Sequence, residues 1–299
     1  MTTDNAQIEG NVYPIIPKVP GYVLSVLVND NQDVQKGDPL VNLESQDYAI
    51  RGAQARAFLE AAIASLISAR AQVRQVISES EATRVNFQKS SKDLKRFQQL
   101  AENEEVSRQQ LEEAERLNSA NASKLNALEQ QIASTQAQVK LSEAKIAEAK
   151  AKLEDSMLQV ADTHIVSPVA GKVTKKSVQP GQWVQPGQYL MAIVPLNEIW
   201  VIANFKETQL TYMRPGQEVL IKIDSYPGKL FHGKIDSIAP GTGARFSLLP
   251  PENATGNFVK VVQRIPVKIL INEGDLKGHP ETILRPGSNV TASVDVARR

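Results

Sequence analysis

The chain of 299 residues contains no cysteine, which excludes disulfide frameworks, thiolate nucleophiles and cysteine-ligated metals. Its charge has no dominant sign, since 34 basic residues face 33 acidic ones, and a net charge of +1 gives no electrostatic footprint for nucleic acid. The histidines His164, His232 and His279 lie far apart, and none has a second ligand at metal-binding spacing. We therefore expect neither a metal site nor a catalytic centre.

Long hydrophobic runs are missing as well. No stretch approaches the roughly 18 uncharged apolar residues that a membrane-spanning helix needs, and no basic-then-apolar signal sequence opens the chain. We expect the chain as given to be soluble. Met1 is either a natural start or a residue supplied when a preceding segment was removed, and the sequence leaves both open.

A short motif occurs twice at unchanged internal spacing. Gly21 and Val23 in the first copy return as Gly171 and Val173 in the second, and the Val, Gln, Gly and Leu positions that follow also match. Each copy has the pattern of short strands separated by turns. About 25 residues cannot bury a core that offsets their ordering entropy. We therefore predict that residues 19–45 and 161–195 are the two halves of one small β-domain.

The segment between the halves, residues 46–160, has no proline and is rich in helix-forming residues. Apolar and small residues recur at alternating spacings of three and four, which is the seam of a coiled coil. One seam runs from Leu59 to Ala101 and the other from Leu111 to Val160. The sequence predicts an antiparallel helical hairpin, a rod of roughly 80 Å, with its tip near residues 101–107, where Ser107 and Gln110 have capping-box spacing.

The last third, residues 196–299, alternates short apolar stretches with Pro-Gly and Gly turns, which is typical of a small antiparallel β-barrel. Residues 1–18 are also extended, and we expect them to add a strand to this barrel. The predicted fold is therefore mixed α and β and elongated. It consists of a split biotinyl/lipoyl-like domain, a long hairpin inserted between its halves, and a C-terminal barrel.

This arrangement resembles the membrane fusion, or periplasmic adaptor, proteins of Gram-negative export pumps, of EmrA/HlyD type. The similarity to the EmrA branch rests mainly on strings in the last third: Asn204-Phe-Lys-Glu-Thr-Gln209, Met213-Arg-Pro-Gly216, Gly241-Thr-Gly243, Phe246-Ser-Leu-Leu-Pro250, Asn253-Ala-Thr-Gly256 and Val261-Val-Gln-Arg264. The resemblance implies a homo-oligomeric, non-enzymatic adaptor without a cofactor. It would join an inner-membrane major-facilitator drug transporter to a TolC-type outer-membrane channel, from the periplasm, anchored by an N-terminal helix that this chain lacks.

Four residues at the hairpin turn match a pattern that marks the channel-docking tip in related adaptors. They are Arg96, Leu100, Ser107 and Leu111, at the spacing Arg-x3-Leu-x6-Ser-x3-Leu. The alternative is that Ser107 only caps a helix, that Leu100 and Leu111 close the coiled coil, and that Arg96 is a solvated charge. These structural roles are compatible with docking.

A second candidate site is the loop through Phe246, Leu248 and Leu249, which is either a buried plug or a contact for the transporter or substrate. Two other functions remain open at this stage. A biotin or lipoyl carrier would present a modifiable lysine on the turn between its halves, but here the hairpin replaces that turn. An adaptor for type I protein secretion is disfavoured only by the EmrA-like strings.

Overall fold

The computed structural model describes residues 1–103, 105–242, 262–272, 274–275 and 284–296. The chain divides into two compact units, one of Met1–Leu43 with His164–Arg299 and the other of Glu44–Thr163. In chain order the elements are β1 (Thr2–Gly10), β2 (Tyr13–Ile15), β3 (Gly21–Val26), β4 (Asp33–Val34), β5 (Pro39–Leu43), α1 (Gln46–Glu102), α2 (Arg108–Asp162), β6 (His164–Val166), β7 (Gly171–Thr174), β8 (Trp183–Val184), β9 (Met191–Val194), β10 (Ile199–Lys206), a 3-10 helix (Glu207–Tyr212), β11 (Glu218–Ile223), β12 (Leu230–Ile238), β13 (Arg264–Ile271) and β14 (Asn289–Val294).

The second unit is the helical hairpin. Both predicted seams are confirmed, because every seam position is buried or half-buried while most other helical positions are exposed. Ser80 and Ser142 are only 2% and 1% exposed, so small polar side chains fill parts of the interface and let the helices approach closely. Within the described ranges, neither helix is long and apolar enough to cross a membrane.

Two cross-helix ion pairs lie along one edge of the hairpin and agree with its antiparallel register. Arg70 lies 2.9 Å from Glu143, and two heptads further along α1, Arg84 lies 3.4 Å from Glu129. All four side chains are about half exposed, so each pair adds little to the free energy of unfolding. Their shared offset nonetheless disfavours a slip of one helix along the other.

In the first unit, two four-stranded sheets form a β-sandwich, in the orders β2-β9-β7-β4 and β6-β5-β3-β8. Each sheet joins strands from both copies of the repeated motif. Gly21 of β3 pairs with Val184 of β8, and Gly171 of β7 pairs with Val34 of β4. The two copies therefore complete each other, as the ordering-entropy argument predicts.

The repeat also extends to backbone hydrogen bonds and conformation. The N–H of Asn31 donates to the carbonyl of Val173 at 2.9 Å, and the N–H of Gly181 donates to the carbonyl of Val23 at 2.7 Å. Asn31 and Gly181 both have positive φ, 64° and 82°. Asparagine tolerates this left-handed conformation better than most residues, so it serves in the first copy where glycine serves in the second. Val23 and Val173 are buried in the sandwich core.

The remaining strands of this unit form a closed antiparallel barrel in the order β1-β10-β13-β12-β11-β14. Its centre is filled by alternate residues of the strands, including the fully buried rings of Phe205 and Phe231. Strand β1 closes the barrel between β10 and β14, whereas β2 pairs with β9 in the sandwich. Residues 1–18, expected to join the barrel, are thus shared between the two layers, and the domain boundaries drawn from the sequence remain a prediction.

Candidate functional site at the hairpin tip

Helix α1 ends in a tight turn around Leu100. The carbonyl of Leu100 accepts hydrogen bonds from the N–H groups of Asn103, at 3.2 Å, and Glu105, at 3.0 Å. These bonds satisfy a carbonyl group that would otherwise be left over at a helix end. The side chain of Leu100 is half-buried, as is that of Leu111 at the start of the second helix.

Helix α2 begins with the capping box predicted from the sequence. The backbone N–H of Gln110 donates to the Oγ of Ser107 at 3.4 Å, and the N–H of Ser107 donates to the Oε1 of Gln110 at 3.0 Å. The N-cap residue Ser107 has an extended backbone, with φ −74° and ψ 151°. Hydrogen bonds hold the end of α1 and the start of α2, so the backbone that carries the side chains of the tip is well defined.

Arg96 stands on the outside of the last turns of α1. Its Nη2 lies 3.0 Å from the Oδ1 of Asp93, and its guanidinium carbon lies 5.6 Å from the ring centroid of Phe97. The side chain is still 64% exposed. A guanidinium group carries five N–H donors in a plane, so the ion pair with Asp93 leaves most of them facing solvent.

A groove of about 610 Å³ runs beside the tip, between the ends of the two helices. Phe97 from α1 and Ala114 and Leu117 from α2 provide its apolar wall, and Leu117 is 50% exposed. Asp93 and Glu113 stand among its polar lining residues. The sequence reasoning missed this groove, although one signal was available: Leu117 is a large apolar residue outside the predicted seam.

The rim of the groove is occupied by a local ion pair. The guanidinium of Arg116 donates through Nε to Glu113 at 2.8 Å and through Nη2 to the other carboxylate oxygen. This hydrogen bonding lowers the pKa of Glu113 and raises the pKa of Arg116. Both groups are held in their charged forms, which suits a recognition surface and does not suit proton transfer.

A polar layer crosses the coiled coil at Ser90, which also lines the groove. The Oγ of Ser90 donates to the carbonyl of Phe87 at 3.0 Å, and the Nδ2 of Asn121 donates to the Oγ of Ser90 at 3.1 Å. The Oδ1 of Asn118 lies 3.4 Å from the same hydroxyl. Buried polar layers of this kind specify register in coiled coils.

The remaining candidate residues from the sequence belong to the last third of the chain or to the set of three histidines. Phe246, Leu248 and Leu249 lie outside the described residues, so their role as a plug or a contact stays a prediction. His279 lies there as well. The Nδ1 of His232 is 3.0 Å from the Oδ2 of Asp275, and within the described ranges no three acidic or histidine side chains converge as a metal site would require.

Comparison with known proteins agrees with this architecture. Residues 11–196 match the barrel-sandwich hybrid domain of RND membrane fusion proteins (RND MFP), and residues 198–245 match a CusB-like β-barrel domain. The chain is 40% identical over 325 residues to the colistin resistance protein EmrA of Acinetobacter baumannii, covering 99% of this chain and 86% of that protein. It is 38% identical over 300 residues to the probable multidrug resistance protein EmrK of Escherichia coli K12, covering 99% and 77%.

A solved structure shows the same fold at low sequence identity. The crystal structure of MacA from Actinobacillus actinomycetemcomitans superposes with a TM-score of 0.57 at 19% identity, over 98% of this chain and 80% of that one. The family model over residues 11–196 and the relatives at 38–40% identity show that the chain is a membrane fusion protein, a class of adaptor proteins. The chain belongs to the EmrA-type branch of this family. Its relatives are non-enzymatic adaptors, which confirms the expectation that the protein is not an enzyme.

Proposed function

We propose that this adaptor joins an inner-membrane major-facilitator drug transporter to a TolC-type outer-membrane channel, and that together they export hydrophobic toxicants. In this assembly the adaptor is a homo-oligomer held at the inner membrane by an N-terminal helix, as the family resemblance implies. The relatives named for multidrug and colistin resistance favour small toxic molecules over secreted proteins as the cargo. Coupling is mechanical, because the adaptor supplies contacts and not chemistry.

The observation that carries the proposal is the composition of the hairpin tip. An exposed guanidinium (Arg96), a half-buried leucine (Leu100) and a small capping residue (Ser107) occupy a turn whose backbone is fixed by hydrogen bonds. Interfaces are enriched in arginine and in apolar side chains surrounded by a polar rim. Ser107 also keeps side-chain bulk low at the turn, so a helical partner can approach the backbone closely.

The acidic and basic groups beside the tip suit a partner that is itself made of helices. Planar donors on Arg96 can bind carbonyl groups or carboxylates at the end of a partner helix in bidentate fashion. The neighbouring groove can receive an apolar side chain against Phe97 and Leu117. Together these features match the paired helix ends of a TolC-type channel better than a flat surface.

The test uses the membrane-anchored adaptor in a strain that lacks its own pump. Leu100→Asp puts a charge into the proposed apolar contact, and Arg96→Ala removes the planar donors. Each should lower drug resistance and site-specific cross-linking to the channel by at least about tenfold, since hot-spot truncations cost about 2 kcal/mol or more. Helix content, measured by circular dichroism, should stay unchanged.

Two substitutions of the same types on the body of the hairpin serve as controls. Leu141→Asp places a charge at a leucine that is 49% exposed, and Arg74→Ala removes an exposed guanidinium far from the tip. Both should keep full resistance and cross-linking. If the tip variants behave like these controls, the docking assignment is wrong, and Arg96, Leu100, Ser107 and Leu111 are ordinary residues of a capped turn.

A further inference from the structure

A second cavity lies where the sandwich meets the barrel, within the same compact unit. Its volume is about 350 Å³, at the lower end of the range for small-molecule sites. Val12, Val194 and Leu196 contribute apolar surface to its lining. Three cationic residues, Lys172, Lys175 and Arg285, also line the cavity, and none of the described lining residues is acidic. A lining that combines apolar and cationic residues is complementary to an amphiphilic anion.

Lys175 lines this cavity in a conformation that the repeat does not require. Its φ is 52°, and among the described non-glycine residues only Lys175 and Asn31 have positive φ. Asn31 matches Gly181 of the second copy, so the fold itself explains its conformation. The counterpart of Lys175 in the first copy is Ser25, which lies inside β3 with ordinary φ. The N–H of the next residue, Lys176, donates to the Oδ1 of Asp30 at 2.9 Å and holds this turn in place. Residues held in such a conformation by the surrounding structure cluster at ligand sites.

Arg285 also differs from its counterpart in a matching turn, Arg214, in the hydrogen bonds of its side chain. The turns Met213-Arg-Pro-Gly216 and Leu284-Arg-Pro-Gly287 share a sequence pattern and a final glycine with φ near 90°. The guanidinium of Arg214 donates to two backbone carbonyls of its own segment, at 2.7 and 3.1 Å. Arg285 has no such bond and no ion pair among the described residues. Its turn is nevertheless fixed, because the N–H of Gly287 donates to the carbonyl of Ile8 at 2.8 Å.

The third cationic residue, Lys172, is neutralised by an ion pair and has a structural role. The Nζ of Lys172 lies 2.8 Å from the Oδ1 of Asp33 and donates to the carbonyl of Asn31 at 2.9 Å. These contacts tie the two copies of the repeat together at the edge of the cavity. Lys175 and Arg285 are then the two cationic groups that remain to meet a negative charge inside the described part of the site.

We propose that this cavity binds one amphiphilic organic anion per chain. The acidic head group, a carboxylate or a phosphate ester, lies between Lys175 and Arg285, and the apolar body lies along Val12, Val194 and Leu196. Charge-assisted hydrogen bonds to a guanidinium and an ammonium group favour an anion over a cation of equal size. The site belongs to the β-unit alone, so it functions whether or not the hairpin tip docks to a channel.

The experiment measures binding to the purified chain by isothermal titration calorimetry, below the micellar concentration of each probe. Decanoate and decyl phosphate carry the two kinds of head group, decylamine reverses the charge, and acetate lacks the apolar body. Decanoate or decyl phosphate, or both, should bind at one site per chain. Decylamine and acetate should bind at least about tenfold more weakly, since each lacks one of the two complementary features.

Two variants remove the proposed contacts and two serve as controls. Lys175→Gly removes the ammonium group while leaving a residue that adopts positive φ freely, so the fold is spared. Arg285→Gln removes the guanidinium and keeps a polar side chain. Each should weaken anion binding by at least about tenfold. Lys124→Gln and Arg74→Gln, both at exposed positions of the hairpin, should stay within about twofold of the unaltered chain.

The proposal is overturned if decylamine binds as tightly as decanoate, or if acetate and decanoate bind equally well. It is also overturned if Lys175→Gly and Arg285→Gln both bind the anions as well as the unaltered chain, because binding then occurs elsewhere. Thermal melts monitored by tryptophan fluorescence identify any variant that has lost its fold. If one of the two variants has done so, the binding affinity of the other decides whether the proposal stands.

Discussion

Substituting Gly171 with alanine should force strands β7 and β9 of the sandwich apart. A Cβ at this position would stand 2.6 Å from the carbonyl oxygen of Val194 and 2.9 Å from the Cγ2 of Ile193. Ordinary contacts begin at 3.4 Å, so the backbone of β9 must move away by up to 0.8 Å. Overpacking costs about 1–3 kcal/mol, and each weakened ladder hydrogen bond adds about 0.5–1.5 kcal/mol. The gain from replacing a glycine within a strand offsets roughly 0.5–1 kcal/mol.

With one weakened hydrogen bond, the midpoints of these ranges give a net loss of about 2 kcal/mol in the free energy of unfolding, or a melting point lower by roughly 4–8 °C for a unit of this size. Both tryptophans, Trp183 and Trp200, lie in the β-unit, so fluorescence follows its unfolding separately from that of the hairpin. Gly52→Ala is the matched control, because the added Cβ meets nothing within 4 Å in helix α1. It should stabilise the helical unit by up to about 1 kcal/mol. An unchanged fluorescence transition in Gly171→Ala would refute the close packing of β7 on β9.

Two further outcomes test the polar layer at Ser90 and the hydrogen bonds of Glu198, which lies between β9 and β10. Ser90→Ala should lower hairpin stability by about 1 kcal/mol, since Asn121 loses its acceptor, whereas Ser68→Ala on the exposed face should not, as thermal melts at 222 nm would show. Glu198 accepts hydrogen bonds from the Nδ2 of Asn11 and the hydroxyl of Tyr13, which lower its pKa. Its stabilising effect should be complete above the unfolded pKa of about 4.3 and disappear as pH falls through the lower folded value. Glu198→Gln should remove that pH dependence from fluorescence melts.

Much of the architecture could be predicted because its signals repeat. The seams of the hairpin follow the period of a helix over many turns, so a chance match is improbable and every predicted seam position is indeed covered. The capping box at Ser107 is a local pattern whose partners lie three residues apart, and it forms as expected. The two copies of the half-motif predicted a shared core, since neither could fold alone, and Val23 and Val173 are buried in it.

What could not be predicted depends on which strands meet, because pairing between distant strands leaves no period in the sequence. Strand β3 pairs with β8, and β4 pairs with β7, so strands of one copy pair with strands of the other. The same sequence is equally compatible with pairing only within each copy. The split of residues 1–18 between two layers has the same origin.

The cavity shows this most clearly, since it brings together Lys175, Arg285 and Val12 from three distant parts of the chain. Nothing in the sequence marks Lys175 as left-handed, because the repeat places an ordinary strand residue, Ser25, at that position. The positive φ of Lys175 becomes visible only when the backbones of the two copies are compared, because the two aligned sequences alone do not record it.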